Sequence, residues 1–324
     1  MILSTRFTKK GFFFTVLAII IVAIFALVFS VKPYSPEESQ QAIESRVILV
    51  NSFTRELKNT YLERVLRSTA KATLNAMTDY IRTTGHRFDN ANDAFSSIIT
   101  SGTLPNFSKL DSMNGKSLNN FTQKISQLST DKFKINTQLK LSGVTVAHKD
   151  AWTLNISANA SIVTQRLDTT FNLTTRISTL LPIEGLENPL YAQYNFTSAI
   201  NRTNISQWNF GTMQQFLASK HYRLNADAPS FFMRFNKSYG RSPYGIESLV
   251  NIPLNYLGKN SGEHNYSRAD WQFFYNPDGK CPPLTLYTFD NIQGTEEFLL
   301  DTSHIASFGV NGTTYTLACP LGGP

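Results

Sequence analysis

Asp131-Lys132-Phe133-Lys134-Ile135-Asn136-Thr137-Gln138-Leu139-Lys140-Leu141 alternates, residue by residue, between polar and core-type side chains. Successive side chains of a strand point to opposite faces, so a period of two predicts a strand buried on one side and wet on the other. Trp152, Leu154, Ile156, Ala158, Ala160 and Ile162 repeat the pattern, and Thr169, Phe171, Leu173, Thr175 and Ile177 repeat it again. Three such runs in succession predict an antiparallel meander. Further on, Phe231, Phe232 and Phe235 read as one more strand and Trp271 to Tyr275 as another. Asn311-Gly312 reads as a tight hairpin turn ahead of Tyr315 and Leu317. Leu181 to Pro189 is the clearest long loop.

Upstream of residue 131 the period is helical. Ser35-Pro36-Glu37-Glu38 supplies a capping serine, proline at the first helical position and an acid at the third. Ile43, Val47, Val50, Leu57, Tyr61 and Val65 follow at spacings near 3.6, and Leu62, Leu66, Ala70, Leu74, Met77 and Ile81 continue the stripe with slight drift. Gly85 is the expected stop. Unbroken, this helix would be a rod of roughly 70 Å at 1.5 Å per residue; a bend near Thr60 would divide it in two. Such a stripe needs a β-rich head or a neighbouring chain to bury it. Shorter helices are expected at Ala94, Phe95, Ile98 and Ile99, ending at Gly102, and at Leu118, Phe121, Ile125 and Leu128. The fold class is α+β, with a helical region over 32–130 and a β-rich head over 131–324.

The opening of the chain sets its sidedness. Phe12 to Val31 is apolar and carries no charge, the length a helix needs to cross a bilayer. Arg6, Lys9 and Lys10 precede it, which places 1–11 in the cytoplasm as a basic leader and everything past Lys32 outside. A cleaved signal peptide is the alternative, but its apolar region is shorter and ends in small residues, whereas Phe25, Leu27, Val28 and Phe29 stand here. The expected partner of 12–31 is the lipid bilayer, in a single-pass protein of the cell membrane.

Lys10-Gly11-Phe12 at the head of that run resembles the processing site of type IV pilin-like surface proteins, the archaeal surface pilins among them. The resemblance covers residues 6–33 and implies a prepilin-type peptidase that cuts between Gly11 and Phe12. Pro33 would then be mature residue 22, where many bacterial pilins also carry proline. It implies, too, a helical spine wrapped by a β head and partners that are further copies in a filament. Val16 departs from the pattern: it stands where bacterial pilins have the glutamate that registers subunits, which puts filament assembly in doubt.

Asn-x-Ser/Thr occurs at Asn106, Asn120, Asn155, Asn159, Asn172, Asn195, Asn201, Asn204, Asn236, Asn265 and Asn311. The content of Asn, Ser and Thr predicts about five such sequons by chance against the eleven present, all on the outer side of the expected topology. Asn155, Asn159 and Asn172 fall on the polar parity of their strands. Cys281 and Cys319 are the only cysteines, and an oxidising exterior favours one bridge between them. Closing that loop would stabilise a C-terminal lobe by roughly 4 kcal/mol in the chain-entropy model.

No catalytic, cofactor or metal motif stands out. Gly-x-Ser-x-Gly, phosphate loops and His-Glu-x-x-His are absent, and the cysteine spacing does not suit a metal. Of the histidines, only His304 has an acid close by, in Asp301-x-x-His304. The net charge of +7 falls to +4 beyond the leader, too mild for a nucleic-acid partner. Tyr222-Arg223, Arg234, Lys237, Tyr239 and Arg241 read as a basic-aromatic patch, most simply a solvated face. The expected function is a membrane-anchored, glycosylated surface protein, a pilin-like structural or adhesive subunit. A single-pass receptor or adhesin is the alternative, and a membrane-tethered enzyme the third.

Overall fold

The computed structural model describes residues 21–22, 40–236, 240–251, 267–275, 285–289, 292, 298–310 and 315–319. The chain separates into two units, Met1–Val47 and Ile48–Pro324. In the first, residues 40–47 are helical and expose Ile43 and Val47. Apart from Ile21 and Val22, the apolar run 12–31 lies outside the described residues, as does the Ser35 cap. Among the described residues, no helix is long and apolar enough to cross a membrane.

The second unit is α+β. Helix α1 (Gln40–Glu56), whose residues up to Val47 belong to the first unit, runs through a π-helical turn (Leu57–Tyr61) into α2 (Leu62–Thr84). That turn falls where the sequence allowed a bend, and it explains the drift of the apolar stripe. Leu57 and Leu62 are five apart, one residue beyond the helical repeat, yet both are buried because the wider turn absorbs the extra residue. Helix α2 ends as expected at Gly85, whose left-handed backbone (φ 70°) lets its N–H donate to Ile81. Helix α3 (Ala91–Ser101) begins at Asn90, whose side chain accepts from the backbone of Asn92 and Asp93, and stops at Gly102. Helix α4 (Leu118–Phe133) is capped by Ser117.

Strands β1 (Asn136–Asp150), β2 (Thr153–Arg166) and β3 (Thr169–Pro182) form the expected antiparallel meander, in the order β1-β2-β3. Phe133 and Lys134 precede the first strand rather than belonging to it. Phe133 ends α4, and Lys134 turns left-handed (φ 55°). A bulge between Ser142 and Thr145 then reverses the parity of β1. Thr137 and Leu141 face the core before it, Val144 after it. Gly143 takes the left-handed backbone (φ 59°) this requires. Helix α2 lies on β2 and β3, while α3 and α4 lie on β1. Leu62, Leu66, Leu74, Phe95, Ile98, Leu154, Ile156 and Ile162 share one core. Thr54 bonds Thr164 across the helix–sheet contact at 2.8 Å.

Beyond β3 come α5 (Pro189–Ala192), α6 (Phe210–Ser219), the strand pair β4 (Arg223–Leu224) and β5 (Ile246–Glu247), and α7 (Asp270–Tyr275). Strands β6 (Leu286–Phe289), β7 (Leu299–Asp301) and β8 (Tyr315–Cys319) make a second antiparallel sheet, ordered β7-β6-β8, with α8 (Thr302–Ser307) after β7. Two late expectations are corrected. Phe232–Phe235 is a 3-10 helix, not a strand: Phe231, Phe232 and Phe235 are all buried, which a half-exposed strand cannot achieve. Trp271 to Tyr275 is helical, in α7, with Phe273 and Phe274 packed in a small apolar cluster beside Leu190, Tyr191 and Val250. The strand at Tyr315 and Leu317 is present, whereas Asn311-Gly312 lies outside the described residues.

Candidate functional site: a buried ionic cluster

Strand pairing sets Arg223 opposite Glu247. Gly245 makes that approach possible, since a Cβ there would lie 2.1 Å from the Asn225 carbonyl oxygen and 2.2 Å from that of Ala228. Arg223 Nε donates to Glu247 Oε1 at 2.8 Å, and Asn225 Nδ2 donates to Oε2 at 2.6 Å. Trp271 Nε1 reaches the same oxygen at 3.2 Å. The guanidinium of Arg223 also lies over the rings of Phe308 and Trp208, 3.8 and 4.8 Å from their centroids.

His304 connects this carboxylate to a second one. Its Nε2 is 2.9 Å from Glu247 Oε2 and its Nδ1 is 2.8 Å from Asp301 Oδ1. Asp301 caps α8 by accepting the backbone N–H of His304, so the Asp-x-x-His spacing is a helix start that folds the ring back onto its own cap. Gln272 donates to the other Asp301 oxygen. Beside them, Arg234 pairs with Asp270 and also donates to the Ile246 carbonyl. Asn188 Nδ2 bonds Asp270 and the Tyr222 hydroxyl. All six ionisable groups, Arg223, Arg234, His304, Glu247, Asp270 and Asp301, are buried.

Their ionisation follows from these contacts. Burial works against charge on His304, but Glu247 and Asp301 outweigh it and hold the imidazole up at about 10. Burial likewise opposes a charged Glu247, and His304, Arg223 and Asn225 overcome it, holding the carboxyl at about 2. Asp301 is held well below the carboxylate range, mainly by His304 against the effect of burial. Asp270 moves the other way, raised by burial despite Arg234. Three cations thus face three carboxylates in a dry interior. With both ring nitrogens donating to carboxylates, His304 has no lone pair for a nucleophile's proton. Ser307 does not meet the ring: its hydroxyl donates to the His304 carbonyl and accepts from Arg223. The arrangement suits a clamp between β4, β5, α7 and the β7–α8 corner.

The basic-aromatic patch is therefore not a surface. Tyr222, Arg223 and Arg234 are buried inside this cluster, and Arg241 is exposed beside Asp227, while Lys237 and Tyr239 lie outside the described residues. Lone charges in apolar runs were the missed signal: Arg234 in Phe231-Phe232-Met233-Arg234-Phe235, and Glu247 beside Ile246. Among the described residues no three His, Cys, Asp or Glu side chains are placed to hold a metal ion.

The other candidate residues are dispersed. Lys10, Gly11, Phe12, Cys281, Asn265 and Asn311 lie outside the described residues, and Cys319 ends β8 opposite Leu286. Asn106, Asn155, Asn159, Asn172, Asn195, Asn201 and Asn204 are exposed. Asn120 and Asn236 are half-buried and engaged, Asn120 Oδ1 accepting from Ser117 and Asn236 Oδ1 from the Ala91 N–H. Comparison with known protein families, with curated proteins and with solved structures finds no match for this chain.

Proposed function

We propose that this chain is a membrane-anchored, glycosylated surface protein of pilin-like type. In this reading residues 12–31 sit in the bilayer, 1–11 face the cytoplasm, and the helix-and-sheet head lies outside. The observation that carries it is Lys10-Gly11-Phe12 at the start of twenty uncharged apolar residues. Two further features support it. Helix α2 lies along β2 and β3 as a spine against a β head, and seven sequon asparagines are exposed. The head then presents surface to the environment as a structural or adhesive subunit. Cys281 and Cys319, joined, would close its C-terminal lobe. The buried ionic cluster holds that lobe in shape and takes no substrate.

Val16 favours a second reading, a single-pass receptor or adhesin that stays in the membrane without entering a filament. The mature N-terminus of membrane-fraction protein separates the two. Phe12 as first residue, lost on replacing Gly11, supports the pilin-like subunit; a chain still starting at Met1 rejects it. Recovery of sugar-free protein from the soluble fraction would reject both.

A further inference from the structure

The register of the meander places three sequons in one row. Asn155 and Asn159 are four residues apart on β2 and both exposed, and Asn172 on β3 pairs with Val163, four residues further on. At about 3.3 Å per residue the row repeats every ~13 Å along the sheet, on the face away from the helices. Each asparagine is exposed, and Asn159 stands between Ser142 and Arg176. Asn155 lies between Ala147 and Leu180, and Asn172 beside Val163. Asn159 Nδ2, the atom a sugar would join, lies over the glycine of the β1 bulge; a Cβ at Gly143 would lie 3.1 Å from it.

The same strand that carries Asn172 has a bare edge. Strand β3 ends the order β1-β2-β3, and no other strand among the described residues pairs with it. It runs fourteen residues without a bulge, with Arg176 its only charge and proline only at its end. A long, flat edge with little charge is a template for pairing with another strand, and proteins normally blunt such edges with lysine, proline or a bulge. Strand β3 has a single charge, Arg176, and no bulge, with proline only at its end; its sequon asparagine is the fourth of its fourteen residues.

We propose that the outer face of this sheet is a glycan face, with Asn155, Asn159 and Asn172 all modified, and that the Asn172 glycan guards the β3 edge against pairing with a second copy of the chain. Antiparallel self-pairing centred on Thr175 would set Thr174 beside Arg176 and Leu173 beside Ile177. No like charges stand directly opposite one another in that register, the two Arg176 lying diagonally about 7–8 Å apart, so the unguarded edge can pair with its own copy. The inference rests on the glycosylated-surface reading above.

The test uses full-length protein from its native glycosylating host, with site occupancy by glycopeptide mass spectrometry and protein mass by light scattering in detergent. All three asparagines should carry sugar. Thr174→Ala, which removes the sequon and leaves Asn172 in place, should double the protein mass relative to wild type. Thr174→Lys also removes the sequon but charges the edge, and should match wild type. Ser108→Ala, which removes the loop sequon at Asn106, should do the same. Wild-type mass for Thr174→Ala, or equal association of Thr174→Lys or Ser108→Ala, overturns the edge guard while leaving glycosylation standing. Bare Asn155, Asn159 and Asn172 alongside sugars elsewhere overturns the glycan face and the edge guard but leaves the surface reading standing, and absence of sugar at every sequon overturns that reading as well.

Discussion

The meander with its helices and the region after residue 200 are held together in opposite ways. In the first, Leu62, Leu66, Phe95, Leu154 and Ile162 meet in an interior built of apolar side chains, joined by few polar contacts such as Thr54 to Thr164. In the second, beside an apolar cluster around Phe216, Phe298 and Phe308, four cationic side chains (Arg223, Arg234, Arg268 and His304) and three carboxylates are buried among the described residues. An apolar core gives way by degrees when a side chain shrinks. An ionic core is balanced only as a whole, because removing one member strands its partners without water. The contrast predicts graded losses in one region and abrupt ones in the other.

The largest effect should come from Glu247→Ala. It strips a partner from Arg223, Asn225, Trp271 and His304 at once, and leaves two cations facing the space. Breaking a buried pair in this way costs about 3–5 kcal/mol. Chemical denaturation of the head should show the loss, and tryptophan fluorescence should show it at Trp271 and Trp208 first. A change under about 1 kcal/mol would mean that the cluster is wet and the contrast wrong.

Leu66→Ala tests the other region. Leu66 is fully buried in α2, and truncation there should cost about 3 kcal/mol through lost transfer energy and a residual cavity. Leu66→Met should cost less than about 1.5 kcal/mol, the graded response an apolar core allows. No conservative replacement should rescue position 247 in the same way; Glu247→Gln keeps the shape and loses the charge.

The pH dependence sharpens the contrast further. His304 in the fold is raised to about 10 from an ordinary value near 6.5. Its contribution is therefore complete below about pH 6.5 and is lost as pH climbs through 10. Glu247 is depressed to about 2, so its contribution is complete above about pH 4.5 and disappears as pH falls through 2. Stability should thus sag by a few kcal/mol between pH 7 and 10, and His304→Gln should flatten that limb. Leu66→Ala should lower the whole curve without altering its slope.

The two regions also differ in how far the sequence reveals them. Strands β1 to β3 and the stops at Gly85 and Gly102 could be read directly, because each residue's role there depends on near neighbours: a period of two, a period of 3.6, or a left-handed cap. The bulge at Gly143 escaped because the alternation simply restarts one residue later, and the π turn at Leu57–Tyr61 showed only as drift. The ionic cluster was illegible for a different reason. Arg223, Glu247, Asp270 and His304 are far apart along the chain, and a charged side chain is ordinarily exposed. That prior turned Tyr222, Arg223 and Arg234 into a solvated patch when they are interior. Phe231 to Phe235 misled in the same way, since a run of aromatics buried all round fits a strand and a tight helix equally well.

The smallest effect tests the polar exception inside the apolar region. Thr54 is buried; its hydroxyl bonds the Val50 carbonyl at 2.7 Å and Thr164 at 2.8 Å. Thr54→Val keeps the volume but leaves the Thr164 hydroxyl without that partner in a dry site, which should cost about 1–2 kcal/mol. Replacing both, Thr54→Val with Thr164→Val, removes donor and acceptor together and should recover most of that loss. A double-mutant cycle in denaturant measures the coupling directly. Recovery would show that this core accepts apolar substitution even at its polar seam. If the double variant is instead worse than the sum of its parts, the seam fixes the register of α1 on the hairpin, and the apolar region too depends on a polar contact that spacing alone does not reveal.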